Sequence, residues 1–188
     1  MGLRLMMAPV YAMAAIALVV LFACVTRGSR ALGGFGCSVP DGSLTRFWLF
    51  GVLPVALADG PDHHRSAFGR LVTEAESWEP ASLFPGETVS WDAVDDNTAR
   101  ATVRYGAFRQ SVDVEVKAFC HPTKAVILRR SNKNSEKVFR DKPFGGTRSE
   151  CREFEGCKLP NYVEGGDHFG IPDDFPFFKA EVARFDAR

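Results

Sequence analysis

Hydrophobic positions change their period along the chain. The sequence opens with an uncharged apolar run, Leu5–Ala23, nineteen residues long and ending against Cys24. That length spans a bilayer core as a helix. Residues 25–40, rich in Gly, Ser and Arg, fit a linker. Leu44–Leu57 is apolar again, with aromatics and valines that suit a strand broken at Gly51 and Pro54. Gly60-Pro61-Asp62 is a helix-start signal with Asp62 or Ser66 as cap. Beyond it Ala67, Phe68, Leu71, Val72, Ala75 and Trp78 recur at helical spacing and predict one amphipathic helix over 66–78. Pro80 and Pro85 end it.

The period then falls to two. Val89, Trp91 and Ala93 alternate with polar residues, Asp95-Asp96-Asn97 is a turn cluster, and Ala99, Ala101, Val103 and Tyr105 alternate with Arg100, Thr102 and Arg104. This predicts a hairpin with one dry and one charged face. Gly106-Ala107 turns into Val112, Val114 and Val116, and 125–130 is a further short strand. The charged stretch 129–142 predicts a long exposed loop. Glu155-Gly156 predicts a two-residue hairpin turn pairing Phe154 with Cys157 and Cys151 with Pro160. Side chains alternate along a strand, so Cys151 and Cys157 then point to opposite faces and cannot bond. Residues 165–175 are expected as loop and 177–185 as the last strand.

The expected fold is mainly β, of the α+β class: an antiparallel meander of six to eight strands forming a half-barrel on one amphipathic helix, or a sandwich, with a hydrophobic helix at the N-terminus. The expected parts are a leader, 1–24, a linker, 25–40, and a single β-rich domain, 41–188.

Composition narrows the functional classes. With 23 basic and 23 acidic side chains there is no cationic surplus for nucleic acid. Sixteen phenylalanines against three Trp and three Tyr imply a large apolar interior or an apolar cavity. Five cysteines leave four if Cys24 carries lipid, enough for two disulfides outside the cytoplasm. Most are expected to be small buried hydrophobes. The leader has competing readings: a single-pass anchor, a cleaved signal peptide with Arg4 as its charged flank, or a lipoprotein leader, because Leu21-Phe22-Ala23-Cys24 is similar to a lipobox. The first three place the protein at the membrane or cell envelope, attached through residues 5–23. A misassigned start is the remaining one.

Four blocks resemble a bacterial family whose domain has no assigned function. They are Leu49–Val55 followed by Gly60-Pro61, Arg70–Glu74 with Pro80, Trp91–Ala99, and Phe144-Gly-Gly146 through Gly156 to Pro160. The chain departs from that family at Phe144, where Trp is usual, at Cys151, where Tyr is usual, and at Cys120-His121-Pro122, where a turn of Asp-x-x-Gly type stands. The family also carries more strand upstream of Asp41. Its shape is similar to lipoprotein-carrier half-barrels, which implies an apolar concave face holding acyl chains.

Candidate chemistry is sparse. Asp62-His63-His64 holds the one adjacent histidine pair, and metal or general-base work there needs Asp167-His168 or Cys120-His121 brought close. Adjacent helical residues diverge by about 100°, which favours solvent-exposed capping histidines. No metal site or cofactor is expected. Arg70 and Glu74, one turn apart, are expected as a structural pair beneath the sheet. Asp95 and Asp96 are turn residues rather than a catalytic dyad. Gly33-Gly34, Gly145-Gly146 and Gly165-Gly166 lack phosphate-loop context and are expected as turns. Trp48, Phe50, Trp78, Trp91, Tyr105 and Phe144 are the expected concave lining, with Arg100 or Arg104 meeting a headgroup at its mouth. The expected role is a membrane-attached or exported binding module for a hydrophobic or lipid-like ligand. The alternatives are a hydrolase using His63 or His64, or a structural or interaction protein with a filled core.

Overall fold

The computed structural model describes residues 18–20, 32–39, 42–49, 53–117, 121–154 and 156–182. The chain divides into two compact units, Val10–Phe68 and Gly69–Arg188.

In Val10–Phe68, four strands pair antiparallel in chain order: β1 (Leu18–Val20), β2 (Leu32–Val39), β3 (Gly42–Leu49) and β4 (Leu53–Ala58). β1 lies within the apolar run, and its three residues pair with Gly36–Ser38 as strand where a helix was expected. Two adjacent valines favour that extended form. The rest of Leu5–Ala23 and Cys24 lie outside the described residues. No described helix is long and apolar enough to cross a membrane. The expected linker is corrected too, because 32–39 pairs residue for residue with β3. Leu44–Leu57 forms parts of two strands, and Pro54 sits within β4, at the edge of this sheet, where no ladder donor is needed.

Helix α1 (Pro61–Trp78) begins with proline in its first turn and crosses the division between the units. A short 3₁₀ helix, Pro80–Leu83, follows it. Gly69–Arg188 then builds an open seven-stranded meander, the half-barrel α+β arrangement: β5 (Val89–Ala93), β6 (Thr98–Tyr105), β7 (Phe108–Lys117), β8 (His121–Ser131), β9 (Arg140–Phe154), β10 (Cys157–Asp167) and β11 (Phe175–Glu181). The strands run in the order β11-β10-β9-β8-β7-β6-β5, every pair antiparallel.

The hairpin register at Glu155-Gly156 is the predicted one, with Phe154 opposite Cys157 and Cys151 opposite Pro160. Cys151 is a free, exposed thiol rather than a buried one. The charged stretch 129–142 is mostly ladder: Arg129, Arg130 and Ser131 pair with Lys142, Asp141 and Arg140, leaving only 132–139 as loop. β10 runs through residues expected as loop, and β11 starts two residues early.

One face of this sheet holds the core. Val89, Ala101, Val112, Val114, Ala125, Ile127, Leu159 and Val163 are all buried, and cross-strand register with side-chain alternation puts them on one side. The other face carries ion pairs, including Arg100–Asp113 at 2.5 Å and Lys179–Glu164 at 3.1 Å.

The helix presents a different stripe from the expected one. Ala67, Phe68, Leu71, Ala75 and Trp78 are half-buried, while Ser66, Gly69, Val72, Thr73, Glu76 and Ser77 are the buried line. Small residues let α1 lie close to the sheet: a Cβ at Gly69 would stand 3.1 Å from the Ile127 Cδ1. Thr73 returns its hydroxyl to the Gly69 carbonyl at 3.0 Å, so a polar group costs little on this face.

Candidate functional site

Two glycine pairs shape the far end of the sheet. Gly146 faces Gly165 and Gly145 faces Gly166 in mid-strand, not in turns. Gly33 and Gly34 likewise lie inside β2. A Cβ at Gly146 would run into the Glu164 carbonyl, and one at Gly166 into the Phe175 carbonyl. Only residues without a side chain allow this approach. It seats Asp167 opposite both Phe144 and Phe175.

Beside these glycines the core face becomes polar. Arg148 donates to Glu76 at 2.7 Å, to the Ser77 hydroxyl at 3.1 Å and to the Gly146 carbonyl at 2.7 Å. The Arg148 and Glu76 side chains are 2% and 4% exposed. Ser77 donates to the same Glu76 oxygen at 3.1 Å. Burial pushes the Glu76 carboxyl above its ordinary range, with Arg148 and Ser77 opposing, and burial lowers the Arg148 guanidinium despite Glu76. Ser77 is fully buried and hydrogen-bonded to both partners.

A second cluster lies toward the end of β8. Arg70 and Glu74 pair at 3.1 Å on the helix. Asp167, with its side chain 6% exposed, receives Lys133 at 2.6 Å and Arg129 at 3.7 Å. Burial raises Glu74 against the pull of Arg70 and Arg129, and burial lowers Arg129 while Asp167 and Glu74 oppose. These couplings tie Arg70, Glu74, Arg129 and Asp167 into one electrostatic group.

Over that group lies an aromatic shelf. The Phe144 and Phe177 ring centroids are 6.4 Å apart, as are those of Phe175 and Phe177. The Arg129 guanidinium stands 4.6 Å from the Phe144 centroid, and the Lys133 ammonium 4.4 Å from that of Phe177. Phe175 and Phe177 are 62% and 48% exposed. An apolar, cation-flanked surface of this kind can hold an amphipathic molecule.

The chain belongs to the family of unknown function DUF6544, which matches residues 39–180. No curated protein and no solved structure matches it. The DUF6544 span runs from the last residue of β2 into β11, so both polar clusters and the aromatic shelf fall inside it.

Among the described residues, Trp91, Tyr105 and Phe144 do not gather. Trp91, Tyr105 and Phe144 share the core face, but Phe144 on β9 is three strands from Tyr105 and four from Trp91. Even the nearer of these separations is about 14 Å at the usual strand spacing. Trp91 is 38% exposed and donates its indole N–H to the Leu83 carbonyl at 2.7 Å, tying the 3₁₀ helix to β5. Trp78 ends α1, half-buried. Trp48 lies in β3, its side chain outside the described ones, and Phe50 lies outside the described residues. Arg100 and Arg104 stand on the charged face, away from Trp91 and Tyr105, so neither meets a headgroup at that lining. Of those whose side chains are described, Phe144 joins the shelf.

The histidines also differ from expectation. His63 is half-buried with its Nε2 3.1 Å from the Thr45 hydroxyl, and His64 is buried. They are packed residues rather than exposed caps. Among the described residues no group of three or more His, Cys, Asp or Glu side chains is placed to hold a metal ion. Asp95 accepts the Asn97 backbone N–H at 2.8 Å, which with Thr98 holds its carboxyl below the usual range. This is turn chemistry.

Phe175, Phe177 and Lys133 carry no candidate role in the sequence reading, and Asp167, considered there as a partner for the histidines, receives Lys133 and Arg129 instead. A signal was present in Phe175-Pro-Phe-Phe178, four residues with three aromatics beside two aspartates.

Proposed function

We propose that this DUF6544 protein is a binding module for a hydrophobic, lipid-like ligand at the membrane or cell envelope. The ligand lies along Phe144, Phe177 and Phe175. The observation that carries this reading is the exposure of Phe175 and Phe177 on an edge strand, where Phe177 lies beside the Phe144 ring and cations stand over Phe144 and Phe177. Fully covering a Phe side chain contributes about 1.5–3 kcal/mol, so two half-exposed rings supply useful affinity for an apolar chain. Placement at the envelope rests on the sequence reading of Leu5–Ala23 as a leader, and an N-terminal mass measurement tests cleavage and acylation at Cys24.

The decisive experiment is uptake of Nile red by the full chain, with organic extraction of the purified protein for bound lipid. Dye fluorescence that rises with the native protein and is lost in the Phe175→Ser/Phe177→Ser variant supports the reading. Both residues are exposed, so the variant keeps the core. Equal fluorescence in both proteins removes the shelf from the role.

A further inference from the structure

We infer that Arg104 and Arg109 form a clamp for a phosphate group, carried by a lipid headgroup or by a small soluble molecule. The site lies on the charged outer face, at the β6–β7 hairpin, and is independent of the aromatic shelf on the core face.

Register brings the two side chains together. Arg104 stands directly opposite Arg109, and Tyr105 opposite Phe108 closes the hairpin beside them. Arg104 donates its backbone N–H to the Thr88 carbonyl at 2.8 Å, on the side away from β7. The N–H and C=O of one strand residue point the same way, so Arg104 and Arg109 are a non-hydrogen-bonded pair. In such pairs the Cα atoms are only about 4.5 Å apart and the side chains leave the sheet side by side.

Both arginines are exposed, and among the described residues neither forms an ion pair or a side-chain hydrogen bond. The neighbouring carboxylates are committed elsewhere. Asp113, on the strand and face of Arg109, takes two bonds from Arg100 at 2.5 and 2.7 Å. Asp141 faces Arg130 at 3.9 Å. Glu87, one residue before Thr88, pairs with neither arginine. Like charges directly opposite each other destabilise a sheet, so the fold itself gains nothing from this pair.

Donor geometry selects the ligand. A carboxylate is filled by the two prongs of one guanidinium. Two guanidinium groups side by side offer more donors than that and match a tetrahedral anion with several free oxygens. The half-buried Ser111, next after Arg109 on the same face, shares a hydrogen bond with Thr102 at 2.8 Å. The second hydroxyl proton of that pair can serve a further oxygen.

Calorimetric titration of the full chain with inorganic phosphate, at an ionic strength held constant with chloride, tests the clamp. Arg104→Gln and Arg109→Gln should each weaken phosphate about tenfold, and the double variant should abolish its binding. Arg100→Gln, on the same face but committed to Asp113, should leave it unchanged. Urea unfolding without phosphate gives a readout of opposite sign. Removing either like charge should raise the midpoint, whereas removing an arginine that supports the hairpin would lower it. Flotation with phosphatidylglycerol vesicles, competed by inorganic phosphate, separates the sources. Flotation lost in the double variant assigns a lipid headgroup. Phosphate binding without flotation, or with flotation that survives the double variant, assigns a soluble ligand. No phosphate binding by the native protein, binding that survives the double variant, or a lowered urea midpoint overturns the clamp.

Discussion

The two halves of the sheet's core face are built from opposite materials. From β5 to the middle of β8 the buried residues are Val89, Ala101, Val112, Val114, Ala125 and Ile127. From the end of β8 to β10, the same face buries Arg148, Asn161 and Asp167 among Leu159 and Val163. The helix matches the change, setting Gly69 against Ile127 and Glu76 and Ser77 against Arg148. The apolar half gains stability from area and close packing, contributions that fail by degrees. The polar half depends on matched partners, and a buried charge without its partner is far costlier than a missing methyl group.

The largest expected effect follows from that difference. Arg148→Met leaves Glu76 buried without its cation, and urea unfolding should show a loss of about 4 kcal/mol. Glu76→Leu/Arg148→Met removes both charges, and its stability should return to within about 1 kcal/mol of the native protein. A double variant as unstable as the single one would erase the distinction between the halves. The pair also sets a pH dependence. Burial raises Glu76 above its ordinary value, so in that window the native state holds a proton the unfolded chain has released. This contribution is full below the ordinary glutamate value and falls as pH rises through the native one. Exposed Glu164, held low by Lys179, acts in the other direction. The difference in urea midpoint between native protein and double variant, followed from about pH 4 to about pH 7, isolates Glu76. The native protein should lose ground relative to the variant as pH rises.

The apolar half is tested by Ile127→Ala, which leaves a cavity under Gly69 in the centre of the sheet. The expected loss is about 3 kcal/mol, read from the same unfolding curves. It should be independent of pH and of salt. A pH-dependent loss would mean that the two halves are coupled through α1.

How much of this was legible in the sequence divides along the same line. Alternation from Val89 to Val114 identified the dry face, and Glu155-Gly156 fixed the register of its hairpin, because both are local signals. The polar half depends on pairings across long separations. Arg148 meets Glu76 and Ser77 from another element, and Lys133 meets Asp167 from 34 residues away. Nothing local distinguishes such a charge from a solvated one. Period two does place Arg148 on the face of Phe144 and Gly146, so a buried cation could have been suspected. The glycine pairs suggest turns in the sequence because glycine is the common turn residue. Their reason is backbone crowding between β9, β10 and β11, which appears only when Gly146 meets Gly165 and Gly145 meets Gly166. The shelf was hidden for the same reason, since Phe144 and Phe177 are neighbours only through β10.

The charged outer face supplies the smallest expected effect and the control for the comparison. Arg100 and Asp113 form a two-pronged pair at 2.5 and 2.7 Å, shorter than the buried Arg148–Ser77 contact. Hydrogen bonding and charge from Asp113 raise the Arg100 guanidinium above its ordinary value. Distance alone would rank this pair among the strongest in the molecule. Arg100 is 47% exposed, however, so water solvates both groups when the pair breaks and little desolvation is at stake. Arg100→Ala should cost no more than about 0.5 kcal/mol. Its coupling to Asp113→Ala in a double-mutant cycle should shrink further in high salt. A loss comparable to that of Arg148→Met would show that pairing geometry, rather than exclusion of water, sets the worth of charges in this sheet.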